Sequence, residues 1–492
     1  MRRVSALAGR TRAVLDRALA VYAADPAAAA VLRAHRDRLD GPLRVALAGT
    51  LKAGKSTLLN ALVGEQIAPT GTAECTRVVT TYRDAPSARI TAIPRDGTPP
   101  TDLPVVHRRG ALVIDLGGTA ERLRELRVDW PSASLRAVHL IDTPGADSTR
   151  PGVAGRARAF LSAEQEDEDG ADVVLHLVRH LHDADVAFAE TVGERAARGI
   201  GPAGTVAVLS HADEIGGGRL DALMTAAQVA RRYRADPALR RHCRTVVPVA
   251  GLLAETARTL RATEFAAVRD LASTPREDVE DLLLSADRFL DGRFPEALER
   301  RERRALLDRF GLHGLRLATT LVRRGATDSA GLAAELVRRS GLEDLRAVVG
   351  TQLVAHGDVF RARAALGALG RVLHTVPSPR GGGDTAELAA AVERVLTGAH
   401  EFAEQDALVA LQARGGPDEE ARRLLGGDGP GATARLGAPS DAAPDDVRGL
   451  ALDALARWRR AGEDPRADRA RADVARVVVR SVEGILAGRS GG

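Results

Sequence analysis

Apolar residues recur at helical spacing through residues 1–40, where Val4, Leu7, Leu15, Leu19 and Tyr22 share one stripe, and Gly41-Pro42 then breaks the chain. From there to about residue 250 the pattern changes to short apolar runs alternating with helical stretches. The runs predict strands over 43–48, 77–84, 89–94, 111–116, 135–141, 173–178, 206–210 and 246–249. Unbroken runs such as Val173-Val174-Leu175 suit central strands of a mostly parallel sheet with helices on both faces, the pattern of an α/β domain. Beyond residue 252 only helical stripes follow. The longest predicts one helix from about 341 to 375, through Leu342, Leu345, Val349, Leu353, Phe360, Leu366, Leu369 and Leu373. The last helix carries Val474, Val478, Val482 and Ile485 at spacings of three and four.

Flexible breaks are expected near 377–384 and 426–444, and no internal repeat has a fixed period. The N-terminal helix has no core of its own. It is therefore expected to join the C-terminal helices in a bundle or stalk. The expected division is 1–40 as the N-terminal helix of that bundle, 41–262 as the α/β domain, and 263–492 as the rest of the helical part.

Composition narrows the function only a little. Hydrophobic residues at 45% and charged residues at 28% describe a well-cored chain, and the net charge of +4 is too small to argue for a nucleic-acid partner. The cysteines are Cys75 and Cys243, which speaks against a disulfide framework and for a reducing compartment. The N-terminus lacks the pattern of a signal peptide, and no window of about 18 uncharged apolar residues occurs. A cytoplasmic location follows, with peripheral membrane attachment left open.

Lysine occurs only at Lys52 and Lys55 among 70 basic residues, and both lie in one loop. Where arginine has replaced lysine almost everywhere else, a retained lysine points to a need for a compact ammonium. That loop, Gly49-Thr50-Leu51-Lys52-Ala53-Gly54-Lys55-Ser56-Thr57, fits the phosphate-binding pattern G-x-x-x-x-G-K-[ST] between a strand and a helix. Its glycines let backbone N–H groups curl around phosphates, the helix N-terminus adds partial positive charge, Lys55 reaches the β- and γ-phosphates, and Ser56 ligates Mg²⁺. Asp142-Thr143-Pro144-Gly145 closes the strand predicted at 135–141. There a carboxylate can hold Mg²⁺ and the Gly145 N–H can meet the γ-phosphate. Between the two motifs runs Thr70-Gly71-Thr72-Ala73-Glu74-Cys75-Thr76. A switch threonine that touches Mg²⁺ and the γ-phosphate is expected in it, either Thr76 or Thr72.

Ser210-His211-Ala212-Asp213 follows the strand at 206–210 and stands where [NT]-K-x-D reads guanine. Asp213 would accept from N1–H and the exocyclic amine of guanine, groups that adenine does not offer. His211 replaces the usual lysine, and its ring is expected to stack on the base. Val249-Ala250-Gly251 stands where a backbone amide meets the guanine oxygen. GTP or GDP with Mg²⁺ are the expected cofactors.

These residues resemble the bacterial dynamin-like GTPases, and within them the shorter actinobacterial isoniazid-inducible type. The resemblance rests on Gly49–Thr57, Ala68-Pro69-Thr70, Glu74-Cys75-Thr76-Arg77-Val78-Val79-Thr80, Asp142–Gly145, Ser210–Ile215 and Val247–Leu253, and it continues into Ser340-Gly341-Leu342-Glu343-Asp344-Leu345. It implies a GTPase head on a helical stalk. Heads that pair on nucleotide, or that pair with a related dynamin-like GTPase, would couple hydrolysis to tethering or reshaping an anionic membrane at the inner face of the plasma membrane. Two positions depart from the wider family. Leu51 stands where eukaryotic dynamins carry a glutamine that positions the attacking water, and Lys52 stands where guanylate-binding proteins carry an arginine finger. Lys52 would thus either offset transition-state charge or serve only as a surface lysine near phosphate.

The helical part is short for this family. Gly311–Val322 and Trp458 are read as core, with a membrane tip as the alternative, and the acidic run Glu164–Asp169 as a solvated loop. Two other function classes are kept: a nucleotide-binding scaffold with little turnover that assembles with a related GTPase, and a ribosome-associated GTPase. The chain shows no aromatic RNA-binding platform, and no nucleic-acid partner is expected.

Overall fold

The structure is a computed structural model that describes residues 5–69, 77–108, 110–145, 170–180, 202–292, 298–377, 382–414, 418–464 and 468–488. The N-terminal stripe forms two helices, α1 (Ala6–Val21) and α2 (Pro26–Arg38), where one was expected. Pro26 cannot continue α1, and Asp25 restarts the helix by accepting a hydrogen bond from the Ala28 N–H at 2.9 Å.

The α/β part opens with β1 (Leu43–Gly49) and α3 (Lys55–Val63). Then come β2 (Val79–Asp84), β3 (Arg89–Pro94), β4 (Thr101–Leu103), β5 (Val106–Arg108), β6 (Ala111–Val113), β7 (Leu123–Trp130), β8 (Val138–Asp142), β9 (Val173–Val178) and β10 (Thr205–Leu209). Helices α4 (Ala222–Ala235) and α5 (Pro237–Arg240) lead to β11 (Thr245–Pro248). The nine-stranded sheet has the order β11-β10-β9-β1-β8-β2-β7-β3-β4. Pairing is parallel from β11 through β8 and again between β2 and β7, and antiparallel at β8–β2, β7–β3 and β3–β4. Strands β9 and β10 are buried along their whole length, as expected of strands covered on both faces.

Three differences from the sequence reading have physical causes. The run at 111–116 yields only β6, which pairs with β5 in a separate two-stranded ribbon. The run at 135–141 begins as a 3₁₀ turn, Ala133–Leu135, before β8. Strand β7 went unrecognised because Arg124, Glu125, Arg127 and Asp129 interrupt its apolar residues. Its period-two signal was nevertheless present, since Leu126, Val128 and Trp130 are all buried.

Helices follow to the end of the described chain, in three packed groups. The first is α6 (Gly251–Arg258), α7 (Ala262–Ser273), α8 (Arg276–Leu282), α9 (Ala286–Asp291), α10 (Arg300–Arg323) and α11 (Ser329–Arg338). It packs Leu253, Phe265, Val268, Phe310, Leu315 and Leu332 on the β10–β11 edge. The helix expected over 341–375 is broken: α12 (Leu342–Val348) passes into a π turn, Val349–Leu353, and a 3₁₀ turn, Val354–His356, before α13 (Gly357–Thr375). At the break the Gln352 carbonyl accepts from the buried Arg244 guanidinium at 3.3 Å.

The second group joins α1 and α2 to α13 and α14 (Gly382–Gly398) through Leu7, Leu15, Tyr22, Leu32, Leu366, Leu369 and Leu388. Arg38 ties this group to the sheet by donating to Asp172 at 2.6 Å. The third is α15 (His400–Arg414), α16 (Glu419–Leu424), α17 (Ala432–Leu436), α18 (Pro444–Glu463) and α19 (Arg469–Leu486) around Leu408, Leu424, Trp458, Val478 and Val482. The stretch 426–444, expected to be a flexible break, thus carries α17. Trp458 and the Leu315–Leu321 face of α10 are buried, which removes both from the candidates for a membrane tip. No helix among the described residues is long and apolar enough to cross a membrane. The acidic run Glu164–Asp169 lies outside the described residues.

Candidate functional site

The parallel strands β1, β8, β10 and β11 deliver their following loops to one edge of the sheet, where α/β folds place their ligands. After β1 the backbone turns with Gly49 at φ 151°, and a Cβ there would fall 2.6 Å from the Leu177 carbonyl oxygen of β9, so only glycine fits. Gly54 caps α3 with φ 90°. Lys55, first in that helix, is buried, and its Nζ donates to the carbonyls of Gly49 at 3.2 Å and Thr50 at 3.0 Å. The ammonium is thereby folded into the curl of the loop.

Ser56 Oγ donates to Asp142 Oδ2 at 2.6 Å. Asp142 ends β8, beside β1, and is 8% exposed; its Oδ1 has no hydrogen-bond partner among the described residues. Burial pushes its carboxyl above the usual range, while Lys55 and the Ser56 hydroxyl pull the other way. A hydroxyl bonded to a buried carboxylate that keeps one free oxygen is a donor set suited to a hard cation such as Mg²⁺, which takes one or two protein oxygens and completes its shell with phosphate and water. Beyond Asp142, Thr143 donates its hydroxyl to Leu47 at 2.8 Å, which pins the loop to β1. A Cβ on Gly145 would sit 2.9 Å from Leu51 Cα, so glycine at 145 lets this loop lie against the phosphate loop. Thr72 and Thr76 lie outside the described residues.

Beside the phosphate loop opens a cavity of about 180 Å³ lined by Ala53, Gly54, Thr57, Ser210, His211, Asp213 and Gly251, among others. Burial raises the Asp213 carboxyl above its ordinary range. Ser210 Oγ donates to Val178 at 3.4 Å and so faces the neighbouring strand.

Two details correct the sequence reading. His211 does more than offer a ring face: Nε2 lies 3.2 Å from the Lys52 carbonyl and Nδ1 lies 2.9 Å from Glu214 Oε1, so the imidazole bridges the phosphate and base loops. Lys52 at φ 62° and His211 at φ 52° are the non-glycine residues with positive φ among those described, so the bridge joins two strained backbones. Ala250 is not available to a ligand, because its N–H donates to the Ser340 carbonyl at 2.8 Å. Gly251, at the start of α6, lines the cavity in its place.

Sequence reasoning passed over Glu214, whose carboxylate meets both His211 and Arg179. The adjacent acid pair Asp213-Glu214 was the signal for it. Lys52 has an exposed side chain, and Leu51 is 58% exposed.

Residues 44–200 match the family described as 50S ribosome-binding GTPase. Isoniazid-induced protein IniC of Mycobacterium tuberculosis is 40% identical over 494 residues, covering 97% of this chain and 98% of that protein. Isoniazid-induced protein IniA of the same organism is 34% identical over 167 residues, 30% of this chain and 25% of that protein. The bacterial dynamin-like protein of Nostoc punctiforme is 29% identical over 127 residues, 24% of this chain and 18% of that protein.

Proposed function

The chain belongs to the IniC family of bacterial dynamin-like GTPases, and from that premise we propose that it binds and hydrolyses GTP with Mg²⁺ and couples the reaction to membrane tethering or remodelling. The observation that carries the chemical part is the 2.6 Å bond from Ser56 to Asp142, which joins residues 86 apart beside the buried Lys55. In this reading Lys55 binds the β- and γ-phosphates, and the amides from Thr50 through Thr57 cradle them. Ser56, Asp142 and a threonine at 76 or 72 hold Mg²⁺, which supplies charge neutralisation on the phosphate oxygens. The Gly145 N–H orients the γ-phosphate, and Lys52 offsets charge that develops in the transition state. Asp213 selects guanine, His211 holds the base loop to the phosphate loop, and the Gly251 amide meets the guanine oxygen.

Residues 41–262 act as the head, and 1–40 with 263–492 as the helical part that responds to it. Heads pair with a second copy or with a related dynamin-like GTPase, on an anionic membrane surface at the inner face of the plasma membrane.

One observation favours a second reading. Leu51 is exposed and apolar at the position where a carboxamide could orient water, which suits a nucleotide-binding scaffold with little turnover that assembles with a related GTPase.

Phosphate release from GTP separates the two readings when it is measured across protein concentrations, with and without anionic vesicles, with ATP and Lys55→Ala as controls. Turnover that rises with concentration or lipid and vanishes in the variant is expected. Tight GTP binding with flat, negligible turnover would transfer the case to the scaffold.

A further inference from the structure

The loops that follow β1 and β10 meet through one side chain, and its hydrogen bonds specify its charge. His211 Nε2 lies 3.2 Å from the Lys52 carbonyl oxygen, and Nδ1 lies 2.9 Å from Glu214 Oε1. A backbone carbonyl and a carboxylate can only accept, so each ring nitrogen has to donate. A neutral imidazole carries one N–H and serves one of these acceptors, whereas the imidazolium carries two and serves both. Burial works against ionisation of Glu214, yet its bonds with His211 and Arg179 hold its carboxyl below the usual range. The carboxylate therefore stays an acceptor.

The ring lies over the start of α3, where a Cβ added to Gly54 would be 3.8 Å from Nε2. It also lines the cavity shared by Gly54, Asp213 and Gly251. Charged and titratable groups reach this corner from each neighbouring element. Arg179, after β9, bonds the same Glu214 carboxylate, and the exposed side chain of Lys52 belongs to the phosphate loop. Asp213 shares the loop of His211. From α10, His313 Nδ1 lies 3.4 Å from the Gly218 carbonyl oxygen and Arg316 donates to that oxygen at 2.9 Å. Lys52 and His211 both keep positive φ, a backbone cost that the bridge across them helps to offset.

We propose that His211 is a positioning residue that works as an imidazolium: its second proton locks the base loop to the phosphate loop, and affinity for guanine nucleotides falls as pH rises and that proton passes to solvent. This rests on the GTPase reading above. Deprotonation leaves either the Lys52 carbonyl or the Glu214 carboxylate without its donor, and it takes a positive charge from the edge of a site for a polyphosphate anion. A charge-assisted bond of this kind controls about tenfold in affinity.

The test is the dissociation constant of the full chain for fluorescent GDP with Mg²⁺, from about pH 6 to about pH 8, in wild type, His211→Lys and His211→Gln. The ligand's phosphate and Asp213 titrate in every chain, so the readout is the difference between profiles. Wild-type affinity should fall about tenfold relative to His211→Lys, whose ammonium keeps its charge across the range. His211→Gln should bind about tenfold more weakly than wild type at the acid end and equally well at the basic end. Glu214→Gln removes the anion that favours the imidazolium, so the fall should move to lower pH; this variant carries the test if the His211 variants do not fold. A wild-type profile parallel to that of His211→Lys, or a Glu214→Gln profile superimposed on wild type, overturns the proposal. So does a His211→Gln defect of the same size at every pH, which is what a ring that only packs would give. Wild-type chain that binds GDP at no pH fails the GTPase reading itself, and the inference falls with it.

Discussion

Lowering the pH from about 7 to about 5 should cost the wild-type chain stability through His176, and the cost can be worked from its environment. His176 lies in the middle of β9, opposite Ala48 of β1 and Ala207 of β10, and is 0% exposed. Burial, reinforced by the Lys55 ammonium, drives its imidazole from 6.5 down to about 3. A depressed folded pKa means that the stabilising contribution is complete above the unfolded value of 6.5 and is lost as pH falls toward about 3. At pH 5 the unfolded chain holds the proton almost fully and the folded chain hardly at all. The contribution lost between pH 7 and 5 is then about 2 kcal/mol, roughly thirtyfold in the unfolding equilibrium.

The assay is urea unfolding of wild type and His176→Gln at both pH values. The variant starts less stable, so the comparison is the loss each chain suffers over the interval. His139, held at about 4 by burial, titrates in both chains and cancels. His176→Gln should lose about 2 kcal/mol less than wild type. Equal losses in the two proteins would refute the reasoning, because the imidazole would then not be kept neutral by the sheet.

Further outcomes follow from the site and the packing. Asp213→Asn should shift preference from guanine to xanthine nucleotides, measured by competition binding; unchanged GTP preference would remove Asp213 from base reading. Lys52→Ala should leave GTP affinity near wild type and lower kcat by about tenfold or more if its charge serves the transition state, and an unchanged rate would leave it a surface lysine. Deleting residues 1–41 should strip the cover from Leu366, Leu369 and Leu388 and yield an aggregating or loosely packed chain; a fragment from residue 42 with wild-type thermal unfolding would contradict that docking.

Much of the candidate site was legible in one dimension. A phosphate loop must place several backbone N–H groups within a few residues, so its glycines and Lys55 are bound to a short pattern with a strand before and a helix after. Asp142 and Asp213 were readable for a related reason, since each ends or follows an apolar strand whose run announces it. Strands β9 and β10 were equally plain, because burial on both faces demands unbroken apolar residues. Strand β7 was not, because its buried face alternates with charges.

What the tertiary structure alone decided are the pairings between such segments. The bond from Ser56 to Asp142, the seat of His211 on Lys52, and the bond from Asn60 to Glu255 each need two loops or helices brought to one sheet edge. The loss of the Ala250 amide to Ser340 is of the same kind, since nothing near residue 250 in sequence names its acceptor. So is the sorting of the helices into three groups, because an apolar stripe says that a face is buried and not which face it meets. Local backbone demands write themselves into adjacent residues; contacts across the fold depend on strand order and helix docking, which the whole chain sets together.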